Sequence, residues 1–139
     1  MKVIDNNGRY LARFEVGEKL PDALVALAQQ RGWSSGSIMG IGGVRDVVLA
    51  YYDLSQKKYL QFSVEGIVEL VSIIGNLALV DGKPFWHLHA SVANASGDVK
   101  AGHLVALTVA ITVECWIQPG NISVSRSFDE ASGLNLLSI

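Results

Sequence analysis

Two apolar runs rich in β-branched residues, joined by a short polar segment, constrain the fold of this chain more than any other feature. The first run ends at Ala93, the second covers residues 103–117, and residues 94–98 between them read NASGD. Runs of this composition are typical of strands, whereas Asn, Ser, Gly and Asp favour turns. The sequence therefore predicts a long antiparallel hairpin.

The position of the turn predicts which residues of the two strands face each other. If the turn is centred on Ser96, residues equidistant from it pair, and His89 lies directly opposite His103 with Cβ atoms about 4.5 to 5.5 Å apart. His87 projects from the same face as His89, about 6.6 Å along the chain, because strand side chains alternate with a period of two. A register slip of one residue would turn His103 to the other face.

Further strands and one helix are predicted outside this hairpin. Residues 10–16 alternate as a half-buried strand does, residues 59–64 form another strand, and Asp81-Gly82 is a hairpin signal between strand-like flanks. The helix is indicated by Pro21 in its first turn, by Gly32 at its C-terminal cap and by four apolar residues at helical spacing, which are Leu20, Leu24, Leu27 and Ala28.

The glycine-rich segment 35–53 predicts two strands around a tight bend, because its apolar pieces are short and β-branched. It has neither the Gly-Lys-Ser/Thr ending of a triphosphate-binding loop nor a Gly-x-Gly-x-x-Gly motif that opens a helix. We therefore expect a close-packed backbone here rather than a nucleotide site.

Composition indicates one folded domain spanning residues 1–139, because half of the residues are hydrophobic and only 17% are charged. The net charge is -2 and no cluster of Lys and Arg occurs, which argues against tight DNA binding. The first sixteen residues contain no continuous apolar run, so we expect neither a signal peptide nor a membrane anchor and place the protein in the cytoplasm. Cys115, the only cysteine, is expected to be a small buried hydrophobe.

Three imidazoles on one face of two paired strands are a typical metal-ligand set. His87, His89 and His103 would bind one divalent cation at about 2.0 to 2.1 Å and leave a coordination position for water or a small-molecule ligand. Imidazole suits several metals, of which zinc is our first expectation and iron the second. The alternative is three structural or surface histidines, each satisfied by its own hydrogen bond.

Acidic residues in otherwise apolar runs are candidates for supporting this site or moving protons. Glu69 and Glu114 are the catalytic candidates, and Glu65 is a weaker one. An unpartnered carboxylate is costly to bury, so each of them is otherwise expected to be structural or interfacial.

Several motifs together resemble the plants and prokaryotes conserved (PPC) domain family, also known as a domain of unknown function. The resemblance covers almost the whole chain and is most specific in the His-x-His motif at 87–89 and the Gly-His motif at 102–103. It also includes the segments 40–44, 69–76 and 81–84. These motifs are similar to the prokaryotic branch of the family, whose members consist of the domain alone.

The resemblance implies an α+β fold, with a largely antiparallel sheet and flanking helices, that assembles as a homotrimer. It also implies that His87, His89 and His103 hold a metal. Plant members carry DNA-binding AT-hooks outside the domain, and the Arg-Gly-Arg-Pro core of such a hook does not occur in this sequence.

Three hypotheses for function follow. The first is a metal-binding oligomeric domain without turnover, which the resemblance favours. The second is a metal-dependent enzyme that acts on a small molecule, with Glu69 or Glu114 transferring protons. The third is a DNA-binding or transcription-associated protein, by analogy with the plant members.

Overall fold

The computed structural model describes residues 1–139, which form ten strands and one helix. The strands are β1 (Lys2–Asn6), β2 (Arg9–Phe14), β3 (Lys19–Leu20), β4 (Gly36–Asp53), β5 (Lys58–Val64), β6 (Val68–Val80), β7 (Lys83–Ala93), β8 (Val99–Pro119), β9 (Ser125–Asp129) and β10 (Leu134–Ser138). Helix α1 (Asp22–Arg31) follows β3. Strands make up 67% of the chain. The expected largely antiparallel sheet is confirmed, but a single short helix replaces the expected flanking helices.

Helix α1 lies where the apolar spacing predicts it. Leu24, Leu27 and Ala28 are buried, and the helix ends at Gly32, whose φ of 68° is the left-handed conformation that glycine adopts without strain. The indole Nε1 of Trp86 on β7 donates a hydrogen bond to the Leu24 carbonyl at 3.1 Å. The helix therefore covers the inner face of β7, opposite the face that carries the histidines.

The four longest strands form a closed circuit of antiparallel pairs. Strand β4 pairs with β6 and β8, and β7 pairs with the same two strands. Alternate side chains of these strands point into the circuit and form the core, which includes Leu49, Ile73, Leu88 and Val109. The remaining side chains project outward, and the three histidines are among them.

The glycine-rich segment forms one continuous strand, β4, and not the two strands that the sequence predicts. Its bend is absorbed by register shifts on either side of Gly42. A Cβ atom at Gly42 would lie 2.1 Å from the carbonyl oxygen of Thr112, so only glycine allows β4 to pass this close to β8. The expected close-packed backbone is therefore present without a break in the strand.

Both predicted turns are present. Asp81 and Gly82 join β6 to β7 with positive φ angles of 49° and 73°, as a two-residue hairpin turn requires. In the turn between β7 and β8, the side-chain oxygen of Asn94 accepts hydrogen bonds from the backbone N–H groups of Ser96 and Asp98. This turn fixes the register, and His89 pairs with His103 as predicted.

The C-terminal hairpin of β9 and β10 lies against the outer surface. Strand β9 joins the edge of β6 through the parallel pair Leu79 and Ser125. The loop between β9 and β10 accepts hydrogen bonds at 2.5 Å from Tyr52 Oη, at the Ser132 carbonyl, and from Lys57 Nζ, at the Glu130 carbonyl. No helix of the structure has the length and apolar character needed to cross a membrane.

Candidate metal centre

The three histidines of the chain converge on the outer surface of the sheet. His87 and His89 lie on β7, and His103 lies on β8 directly opposite His89. The ring centroids are 5.2 Å apart for His87 and His89, 5.2 Å for His87 and His103, and 5.7 Å for His89 and His103. One ligand nitrogen from each ring lies within 4.8 Å of the other two.

The environment of each ring differs. His89 is exposed, whereas His87 and His103 are half-buried. The ring of Tyr59 on β5 lies 4.6 Å from that of His103 at an interplanar angle of 30°, which holds the imidazole against the sheet. Strands β6 and β7 lie very close together at His87. A Cβ atom at Gly75 would lie only 2.0 Å from the His87 carbonyl oxygen.

Burial keeps two of the imidazoles in the neutral form that binds metals. Burial, together with the nearby charges of His87 and His89, lowers the pKa of His103 to about 4. The pKa of His87 is also lowered, first by burial and then by the charges of Arg126 and His89. At neutral pH both rings therefore offer an unprotonated nitrogen without an energetic cost for releasing a proton.

One orphaned atom indicates that the donor set fits a cation. Nδ1 of His103 is buried and has no hydrogen-bond partner in the protein, which is unusual for a buried polar nitrogen. Nitrogens bound to one tetrahedral cation lie about 3.4 Å apart, since each bond is about 2.1 Å long. Since the ligand nitrogens lie within 4.8 Å of one another, they would need to approach by at most about 1.4 Å.

A pocket of about 360 Å³ adjoins two of the histidines. One wall consists of Tyr59, His87 and His103, and the opposite wall comes from the C-terminal hairpin, including Arg126 and Phe128. The Arg126 guanidinium donates from Nη2 to Asn76 Oδ1 at 2.6 Å and from Nη1 to the Asn135 carbonyl at 3.0 Å. Sequence reasoning missed Tyr59 and Arg126, because neither belongs to a motif and both reach the histidines from distant strands.

The carboxylate candidates are not brought to the histidines. Glu114 lies eleven residues beyond His103 on β8, about 35 Å of strand, opposite Arg13 on β2. Glu69 pairs with Ala93, four residues past His89 and about 13 Å away along the strand. Glu65 is exposed after β5. These positions favour the structural or interfacial interpretation of all three.

Comparison with known proteins places this fold in a family. The profile of the Plants and Prokaryotes Conserved domain, abbreviated PCC or PPC, matches residues 2–120. The chain belongs to this family. The matched part of this PPC domain includes His87, His89 and His103. It ends before the C-terminal hairpin, which begins at Ser125. No curated protein matches the sequence.

Three solved structures share the whole fold of this chain. A PPC protein from Pyrococcus horikoshii is 30% identical, with a TM-score of 0.89 over 99% of this chain and 94% of its own. A protein from Archaeoglobus fulgidus named as metal-containing is 30% identical, with a TM-score of 0.87 over all of both chains. A protein from Ralstonia eutropha JMP134, named as a candidate DNA-binding protein, is 26% identical, with a TM-score of 0.93 over 99% of this chain and 96% of its own.

Proposed function

We propose that this PPC domain binds one divalent metal ion through His87, His89 and His103. The observation that carries the proposal is the convergence of three ligand nitrogens within 4.8 Å of one another. The buried, unpartnered Nδ1 of His103 supports it, because a bound cation would satisfy that atom. The name of the A. fulgidus relative, a metal-containing protein, agrees with such a site.

The three histidines would contribute to metal binding in different ways. His103, fixed between the sheet and Tyr59, and His87, set on the close β6–β7 pair, provide two pre-oriented nitrogens. His89 is exposed and closes the site from the solvent side. A cation held by three neutral imidazoles keeps an open position that can bind water or a small anion as a Lewis acid. Zinc remains our first expectation and iron our second.

Binding without turnover is the form of this function that we propose. No Asp or Glu lines the pocket beside the histidines, so no carboxylate is present there to transfer protons. A hydrolytic reaction here would depend on a metal-bound water alone, without a carboxylate beside it to accept the proton. Hydrolysis of a small ester or lactone at a rate that follows zinc content would contradict this choice and favour the enzyme hypothesis.

Elemental analysis of the purified chain, followed by calorimetric titration of the metal-free protein with zinc, tests the metal site. We expect one zinc per chain, and a loss of at least a hundredfold in affinity for His89→Ala, because two imidazoles bind far more weakly than three. Lys100→Ala, an exposed change on the same hairpin, is the matched control and is expected to bind as the parent does. Equal zinc affinity in His89→Ala and the parent would overturn the site.

We further propose that the domain forms the homotrimer that the family resemblance implies. A contiguous apolar patch on the outer sheet surface supports an interface, because Met39 lies opposite Ile74 on one side and Trp116 on the other. These three residues and their neighbours Ile41, Val71 and Ile111 are between 39% and 62% exposed. Large exposed apolar patches mark interaction sites. The patch borders the metal centre, since Ile74 also pairs with His89.

Sedimentation equilibrium tests the assembly. We expect a mass of three chains for the parent and of one chain for Met39→Asp, because the new carboxylate would be buried in the interface without a partner. Ile4→Asp, on the outer strand β1 and equally exposed, is the control and should remain trimeric. A monomeric parent would contradict the proposal.

DNA binding is the second candidate function, and the name of the R. eutropha relative favours it. With a net charge of -2, the chain offers little electrostatic attraction for the phosphate backbone of DNA. A gel-shift assay at physiological salt with micromolar protein tests whether the chain binds DNA. We expect no retardation of duplex DNA, and a salt-dependent shift would favour DNA binding.

A further inference from the structure

The guanidinium of Arg126 has no carboxylate partner, although it lies in a partly buried position beside the histidines. Its two hydrogen bonds go to neutral groups, the Asn76 side chain and the Asn135 carbonyl. Its Nε is enclosed and has no acceptor. A partly buried cation without a counter-ion is costly, and an anion in the adjoining pocket would remove that cost.

The composition of the pocket indicates what kind of anion would fit. Its lining contains no acidic residue and no lysine, so Arg126 is the one permanent positive charge facing the cavity. The remaining surface is largely apolar and comes from both walls. It comprises Tyr59, Phe85, Phe128, Leu134 and Leu136. A ligand with a single small anionic group on an apolar body matches this distribution of charge.

A metal ion bound by the histidines would also favour a negatively charged ligand in this pocket. Three neutral imidazoles leave the full double charge of a bound cation uncompensated, and His87 and His103 line the same pocket as Arg126. The guanidinium fork binds carboxylates with two parallel hydrogen bonds, whereas a phosphate site usually offers several backbone N–H donors or lysines. This pocket offers one arginine and no helix N-terminus.

We propose that the pocket binds a small organic carboxylate, with one oxygen at the open position of the metal, the carboxylate paired with Arg126, and the apolar body against Phe85 and Phe128. This binding mode rests on the metal site proposed above. It makes the C-terminal hairpin, which lies outside the region that the family profile matches, the element that selects the ligand.

Calorimetric titration of the zinc-loaded protein with benzoate, benzamide and inorganic phosphate tests the assignment, with zinc content measured first for each variant. We expect benzoate to bind at least tenfold more tightly than benzamide, its uncharged analogue, and more tightly than phosphate. Arg126→Met should weaken benzoate at least tenfold while leaving the weak binding of benzamide unchanged. Arg126→Lys, which keeps the charge but loses the fork, should restore part of the affinity.

The Cζ atom of Arg126 lies over the ring of Phe85, 5.7 Å from its centroid, and that of Arg31 lies over the ring of Tyr10 at 5.5 Å. The matched control is therefore Arg31→Met, which removes the same charge from the same kind of contact. It should bind benzoate as the parent does. If Arg126→Met fails to fold, as judged by thermal unfolding, Arg126→Lys and Phe128→Ala still test the charge and the apolar wall separately.

The possible results separate this inference from the proposed function. Zinc uptake with equal binding of benzoate and benzamide, or with no effect of either Arg126 substitution, would overturn the carboxylate pocket and leave the metal site standing. Tighter binding of phosphate than of benzoate would also overturn it. A chain that takes up no zinc would overturn the metal site, and the carboxylate pocket with it.

Discussion

The two hairpins that meet at the candidate metal centre are built in different ways. The β7–β8 hairpin is part of the closed strand circuit, and its inner face, with Leu88 and Leu104, is buried in the core. The C-terminal hairpin has no side chain in that core and is held by one parallel strand pair and a few hydrogen bonds. The three histidines thus lie on the rigid hairpin, whereas Arg126 and Phe128, which we assign to ligand selection, lie on the loosely attached one.

This difference agrees with the requirements of the two tasks. Metal ligation requires positions fixed to within about 0.5 Å, which buried strands supply. Selecting a ligand tolerates and often requires movement, and segments with few buried contacts open at a low free-energy cost. Variation in the C-terminal hairpin could therefore change the ligand without disturbing the metal site.

The largest expected effect contrasts the same substitution in the two hairpins. Leu88 is 1% exposed and Leu136 is 44% exposed. Leu88→Ala should lower the free energy of unfolding by about 3 kcal/mol, because it leaves a cavity in the core. Leu136→Ala should lower it by about 0.5 kcal/mol. Urea denaturation of both variants checks this, and similar losses would contradict the contrast.

A smaller effect is expected where β6 supports the rigid hairpin. Gly75→Ala should lower the free energy of unfolding by about 2 kcal/mol, because its Cβ would lie 2.0 Å from the His87 carbonyl and force the strands apart. Zinc affinity should fall as well, since His87 moves. Gly8 has a positive φ but open space around it. Gly8→Ala should therefore lower the free energy of unfolding by about 1 kcal/mol and leave zinc affinity unchanged. Unchanged zinc affinity in Gly75→Ala would contradict the proposed support.

The metal-free protein should lose stability in mildly acidic solution. The pKa of His103 is about 4 in the folded chain and about 6.5 when unfolded, so the unfolded state binds the proton first as the pH falls. The stabilisation is fully present above about pH 6.5 and is lost between there and about pH 4. Because the ring is only half-buried, solvent screening limits the loss to roughly 1 to 2 kcal/mol. Urea denaturation across this range measures it, and His103→Gln should flatten the slope.

The smallest effect on global stability is expected at the attachment of the C-terminal hairpin. Tyr52→Phe removes the hydrogen bond to the Ser132 carbonyl and should cost about 1 kcal/mol or less. Amide hydrogen exchange in β9 and β10 should become several-fold faster, while exchange in β7 and β8 stays the same. Equal acceleration in both hairpins would mean that they open as one unit.

The sequence predicts the convergence of the three histidines well because every step is local. The Asn94 turn and the period of two place His87, His89 and His103 together, and the structure has that register. The helix and the Asp81-Gly82 turn are confirmed for the same reason. Leu20 is a small exception, since it lies in β3 and packs into the core just before α1.

The rest of the site could not be predicted, because it depends on contacts between distant parts of the chain. Arg126 reaches the pocket through a bond to Asn76, fifty residues away, and no pattern around it indicates that contact. Glu69 and Glu114 are candidates because they interrupt apolar runs, but both are exposed on the outer face, where a carboxylate is well solvated. The glycines of β4 predict two strands where one continuous strand forms, because glycine tolerates bends as well as close packing.

The unequal exposure of the three imidazoles has a consequence for how fast the site fills and empties. His89 is the most exposed of the three rings, so a cation bound by the set would be reached from solution on its side. A chelator would compete for the cation there. In the trimer that we propose, a neighbouring subunit resting on Ile74, which pairs with His89, would cover this side of the site and slow the exchange of a bound ion.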